Sequence, residues 1–132
     1  MLTKTDIEGL TYFQIELRQN LIAKLNELYA QGRDFLNELL SNKTAMNPTR
    51  KLISEARNMV ARHRNKFIES GERRIANMYN LELNALGDIL VIFAGNAVTI
   101  QEFAKFSELR NDLLSFAFAI ESAIKTIESA NL

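Results

Sequence analysis

Cysteine is absent from the 132-residue chain. That removes disulfides, thiolate nucleophiles and Cys-based zinc sites, and it fits a reducing compartment. Proline occurs once and glycine five times, too few for a β-sandwich with its turn signal roughly every 8–12 residues. No apolar run reaches the roughly 18 residues that span a membrane. Met1 to Thr5 carry one Lys and no apolar core, so no signal peptide is expected and the expected location is cytoplasmic. There is no glycine-rich phosphate loop, nucleophile elbow or metalloprotease motif. Histidine occurs once, at position 63. A helical-bundle di-iron site needs two Glu-x-x-His motifs, and Val60 stands three before His63. No metal or cofactor is expected.

What is there is helix-forming material, rich in Leu, Ala, Ile, Asn and Glu. A hydrophobic fraction of 47% with 24% charged residues is that of a globular domain. The expectation is one all-α domain over residues 1–132, a bundle of four to five helices with a long central helix. Net charge is zero but unevenly placed: residues 50–74 carry +5, residues 1–49 carry −1 and residues 75–132 carry −4.

Leu10, Phe13, Leu17, Leu21, Leu25 and Leu28 recur at steps of three or four, one face of a first helix. Thr5 or Asp6 caps its start, and Gly32 stands where a C-terminal glycine belongs. A short helix follows from a cap at Asp34 through Leu40, with Phe35, Leu36, Leu39 and Leu40 inward. Residues 41–47 read as the longest loop, and Asn47-Pro48 as the start of the next helix.

The stretch from Pro48 to Ala94 organises the rest. Leu52, Ala56, Met59, Val60, His63, Phe67, Ile75 and Met78 mark its inner face, continued by Leu81, Leu83 and Leu86. Gly71 marks a bend or a close approach of a neighbouring helix, and Gly87 or Gly95 divides the segment in two. Ile89 to Phe93 is apolar on every side of a helix, so it is a central helix or a subunit interface; a strand is the alternative, without a partner strand in view. Leu86, Ile89, Leu90, Ile92 and Phe93 are the candidate assembly interface.

Thr99-Ile100-Gln101-Glu102 is a capping box, with Val98 and Phe103 at the staple positions. The last helix runs from about Ile100 to Ser129. Phe106, Leu113, Ile120 and Ile127 repeat every seven residues, interleaved with Phe103, Leu109, Phe116 or Ala117, and Ile124, which makes a packing seam.

Two further patterns bear on function. Lys51, Arg62, Lys66 and Arg73 share one stripe, and Arg50, Arg57 and Arg64 another. The first is a candidate strip for weak, sequence-independent contact with a DNA backbone or an acidic partner. Lys51–Glu55 and Glu69–Arg73 are i,i+4 pairs that neutralise part of it, and the bland alternative is a solvated flank of a core helix. Arg57-Asn58 with His63 resembles the Arg-x(4–6)-His motif of the HEPN ribonucleases, which would make Arg57 and His63 catalytic. Against that, His63 lies on the apolar face with Met59, Val60 and Phe67, as a structural histidine would.

The order of features also resembles the helical domain of archaeal GINS subunits. The matching parts are the long first helix, the short helix beginning Asp34-Phe35 and the basic segment Leu52-x-x-x-Ala56-Arg57-x-x-Val60. Glu72-Arg73-Arg74-Ile75-Ala76-Asn77-Met78-Tyr79 is similar to the family's arginine-rich helix. Val98 to Phe106 is similar to its Leu-Thr-x-Glu-Glu-x-x-Phe start, with Ile100 where the family often has proline. The family's small β-rich domain has no counterpart in residues 1–132. The resemblance implies a non-enzymatic scaffold subunit of a DNA replication complex. Its implied partners are a GINS-like tetramer, the MCM helicase and a RecJ/Cdc45-like protein. A helical adaptor or regulatory module of another family is the remaining alternative.

Overall fold

The structure is a computed structural model and describes residues 4–130. All regular structure among the described residues is helical. Helix α1 (Lys4–Tyr12) runs through a π turn (Phe13–Leu17) into α2 (Arg18–Gln31), making one continuous first rod. Then come α3 (Arg33–Ser41), α4 (Lys43–Glu69), α5 (Arg73–Phe93) and α6 (Ile100–Ala130). The five rods match the expected all-α bundle. Helix α5 packs between α4 and α6, and the first rod lies across α4 and α6.

The first helix keeps its expected stripe with one change. Leu10, Phe13, Leu21, Leu25 and Leu28 are buried, but Leu17 is only half-buried and Arg18 takes the inward place. The π turn explains this. The Arg18 backbone N–H donates to the Phe13 carbonyl, five residues back, so the turn holds one extra residue and the inward position moves from 17 to 18. The helix has already begun at Lys4, so Thr5 and Asp6 lie inside it and not at its cap position.

Three boundaries differ from expectation. Gly32, at φ 92°, ends α2 and also stands at the cap position of α3, so Asp34 sits in the first turn of α3 instead. The expected loop over 41–47 is reduced to Asn42. Its side-chain oxygen accepts the Ala45 N–H at 3.2 Å and caps α4. Pro48 therefore lies inside α4. Its missing N–H leaves the Thr44 carbonyl without a helical donor, on an exposed face that water reaches.

The third difference is the largest. Residues 48–94 are two antiparallel helices and not one long helix. The break is at Gly71, at φ 82°. The Glu72 N–H donates to the Phe67 carbonyl at 2.8 Å and the Gly71 N–H to the Ile68 carbonyl at 3.1 Å, the paired bonds of a Schellman motif. Glu69 and Arg73 fall on different helices, so they are not the i,i+4 pair expected from spacing. Gly87 does not break α5; its open backbone lies under the Arg57 guanidinium of α4.

The capping box forms as read. The Thr99 N–H donates to the Glu102 carboxylate, and the Glu102 N–H to the Thr99 hydroxyl, both at 3.0 Å. Val98 is buried and both its backbone groups are held by α3. Its N–H donates to Asn37 Oδ1 at 2.7 Å, and its carbonyl accepts from Arg33 at 3.3 Å.

Two glycine substitutions test this geometry. Nothing lies within 4 Å of a Cβ added at Gly71, so Gly71→Ala meets backbone strain alone. Urea unfolding is expected to show a loss of about 1–2 kcal/mol. Gly87→Ala adds an ordinary contact, 3.6 Å from Arg57, inside a regular helix. The expected result is a gain of about 0.5–1 kcal/mol.

Candidate functional site

The polar core comes first, because it claims the residues that looked chemical. Arg18 and Glu82 are each about 3% exposed and form a bidentate pair, with Nε–Oε2 at 2.9 Å and Nη2–Oε1 at 2.6 Å. Burial pushes the Glu82 carboxyl up from its ordinary value, and the guanidinium opposes that shift. The Arg18 guanidinium also lies 4.4 Å over the Phe13 ring. Neither residue was a candidate from spacing. Glu82 was nonetheless detectable, since it interrupts the apolar series Ile75, Tyr79, Leu86, Ile89 and Phe93.

His63 completes this core. It is 1% exposed, with its ring edge-on to Phe13 at 5.0 Å and to Tyr79 at 5.9 Å. Its Nδ1 has no hydrogen-bond partner among the described residues. Burial, reinforced by the charges of Lys66, Arg18 and Arg62, lowers its pKa from 6.5 to about 3, so it is neutral at pH 7. Arg57 is exposed and turned to α5, about 120° around α4 from His63. The structure does not bring Arg57 and His63 together. No group of three or more His, Asp or Glu among the described residues stands together as a metal site.

The arginine stripe at 50, 57 and 64 runs along the seam between α4 and α5. Arg50 donates to the Phe93 carbonyl through Nε at 3.0 Å and Nη2 at 2.6 Å, closing the C-terminal end of α5. Arg57 covers Gly87, and Arg64 donates to Asn80 Oδ1 at 3.1 Å. With steps of seven on α4 and six or seven on α5, the three side chains clamp the helix pair. The other stripe is not one array. Lys66 is paired with Asp6 at 3.1 Å, and Arg73 lies beyond the Gly71 turn on α5. Lys51 and Arg62 remain exposed on α4.

The candidate interface at Leu86–Phe93 is covered by the chain itself. Leu86, Ile89, Ile92 and Phe93 are buried and Leu90 is half-buried. Phe93 meets Phe106 of α6 at 5.3 Å between ring centres. The antiparallel α4–α5 hairpin explains the discrepancy: it puts α5 between two neighbours, so an all-round apolar helix needs no second subunit. Only Val91 stays largely exposed.

Unpartnered apolar surface lies instead on the outer side of α5 and α6. Phe118 is 75% exposed, and Leu114, one turn earlier on α6, is 39% exposed. On the other flank of α6 from Phe118 an open groove of about 430 Å³ lies between the two helices, floored by Ile75, Met78, Ala119 and Ala123 and rimmed by Glu72 and Arg74. Leu81, three residues after Met78 on α5, is 52% exposed. On α6 from residue 113 to 127 the only charges are Glu121 and Lys125, paired with each other at 3.6 Å. The missed signal was in plain view: the last helix carries more apolar residues than its single seam at Phe106, Leu113 and Ile120 can bury.

No helix among the described residues is long and apolar enough to cross a membrane. Comparison with protein-family models, curated proteins and solved structures finds no match to the chain.

The buried histidine predicts an acid weakness. The native state holds His63 neutral to about pH 3, whereas the unfolded chain protonates it near 6.5. Its contribution is fully present above pH 6.5 and is lost as pH falls, by about 1.4 kcal/mol per unit. Urea unfolding at pH 7 and 4.5 should show a smaller stability loss in His63→Leu than in the wild type. Separately, Glu82→Gln leaves Arg18 buried without its charge partner and is expected to cost about 3–5 kcal/mol.

Proposed function

We propose that the chain is a non-enzymatic assembly subunit that works through the outer face of α5 and α6. The observation that carries this reading is the exposed Phe118 on one flank of α6 and an uncovered apolar groove on the other, on a stretch of helix with almost no charge. Exposed apolar side chains scattered singly are ordinary, whereas a contiguous set next to a groove marks a contact surface. The polar residues that resemble catalytic groups have structural roles: His63 is sealed between rings, and Arg57 braces the α4–α5 seam.

The resemblance to archaeal GINS helical domains supplies the specific version. In it the chain is a cytoplasmic scaffold of a DNA replication complex, placed in a GINS-like tetramer between the MCM helicase and a RecJ/Cdc45-like protein. DNA contact would be weak and confined to exposed residues such as Lys51 and Arg62. The ribonuclease reading is less favoured, because Arg57 and His63 point to different surroundings. A helical adaptor of another family would use the same face.

The test is to isolate the tagged chain at native expression level, measure the mass of the complex and identify its stoichiometric partners. Assembly predicts a species well above 15 kDa, and the replication version predicts helicase or RecJ-like protein in it. A lone monomer at tens of micromolar, with no stoichiometric partner, contradicts assembly. RNA cleavage by the wild type that is lost in Arg57→Ala would replace this reading with the ribonuclease.

A further inference from the structure

We propose that the occupant of the α5–α6 face is a second copy of this chain, docked about a two-fold axis parallel to α6, with each Phe118 seated in the other copy's groove. The inference rests on the assembly reading and deepens it by naming the partner and the contact.

The argument begins with the layout of α6. At about 100° per residue, Phe118 and Ala119 stand at nearly the same height on opposite flanks of the line through exposed Ser115 and Ser122. Phe118 projects on one flank; on the other, Ala119 and Ala123 form one wall of the groove. A two-fold axis parallel to the helix carries each flank onto its opposite. The projecting ring of one copy then meets the recess of the other, at the same height, twice. The contact is isologous and closes on itself. An antiparallel arrangement would set Phe118 against the partner's own Phe118 flank and leave both grooves empty.

Size and charge agree. A cavity of about 150 Å³ admits a benzene ring, so a 430 Å³ groove has room for the Phe118 side chain. The seam between is made of small uncharged side chains, which let two helices approach closely. The charges lie at its edges with complementary signs. Lys125 stands two turns beyond Phe118 on the same flank, and Glu72 lines the groove together with Thr126, so the same rotation brings Lys125 of one copy toward Glu72 of the other. Arg74, on that rim too, comes toward Glu121. From residue 113 to 127 the face is neutral in sum; one heptad before Ser115 a parallel axis sets Glu108 toward Glu108 of the other copy, with Lys105 of the same chain 4.0 Å from it. A polyanion or a strongly acidic peptide would find no positive field there.

The absence of native cysteine gives a direct test. Single Ser115→Cys and Ser122→Cys variants of the full chain, oxidised at tens of micromolar, should each give a disulfide-linked dimer, because a parallel axis brings both like pairs together two turns apart. Sedimentation equilibrium should show a wild-type dimer that Phe118→Ser converts to monomer, with helical content and unfolding midpoint unchanged. Lys125→Glu should weaken the dimer at least several-fold, and adding Glu72→Lys should restore it. Cross-linking through only one serine, or a dimer insensitive to Phe118→Ser, overturns the proposed docking while leaving assembly intact. A wild-type monomer that is found in a stoichiometric complex with another protein overturns the second copy as occupant and keeps the assembly reading. A monomer with no partner removes both.

Discussion

An ion pair closed off from water holds the first rod to α5. Arg18 meets Glu82 with both members about 3% exposed, so their mutual attraction replaces hydration that burial has removed. Such pairs add little over an apolar pair of the same size, yet breaking one is costly. The register of the first rod is tied to this contact. The π turn at Phe13–Leu17 turns Arg18 inward, and the edge-on rings of Phe13, His63 and Tyr79 pack beside it. Sliding α1–α2 along the bundle by one turn would strand a guanidinium and a carboxylate in the core. The irregular turn therefore serves the pair, and the pair fixes where the rod can lie.

The same use of charge within the chain recurs along α4. Arg50, Arg57 and Arg64 hold α5 at its C-terminal carbonyl, at Gly87 and at Asn80. Arg33 holds the Val98 carbonyl, and Arg110 donates to Asn26 at 2.6 Å while covering the Tyr29 ring at 4.1 Å. Half of the eight basic side chains of residues 50–74, Arg50, Arg57, Arg64 and Lys66, also brace the bundle from within. Besides exposed basic residues such as Lys51 and Arg62, what remains unbraced is apolar: the outer side of α6 and the groove it shares with α5. A partner surface is accordingly argued from Phe118, Leu114 and Leu81, and not from the basic stripe.

Much of the helical plan was legible in the residues. The steps of three and four from Leu10 to Leu28, except at Leu17, the Thr99–Glu102 box and the heptad seam of α6 each correspond to what folds, because each is a local pattern answering to helix geometry. The burial of His63 was also readable from its apolar neighbours. The errors have physical causes of three kinds. Pro48 outweighed Asn42 as a start signal, although an exposed turn tolerates the missing N–H. Gly71 carried two readings, and only its positive φ and the paired bonds to Phe67 and Ile68 decide between them. Arg18 and the Ile89–Phe93 segment depend on tertiary context, since neither a π turn nor a hairpin that sandwiches α5 leaves a periodic trace. The apolar run of Ile89 to Phe93 is covered within the chain apart from Val91, and the exposed face of α6 has no separate periodic signal because the seam behind it accounts for most of its large residues.

The chain has no tryptophan, so Phe118→Trp places a single indole reporter on the face in question. The decisive measurement is its fluorescence emission as protein concentration rises from submicromolar to about 100 µM. Assembly through this face predicts a shift of the emission maximum to shorter wavelength, following the dimer fraction measured by sedimentation. A spectrum that stays that of a water-exposed indole across the whole range, while the protein remains folded, contradicts it.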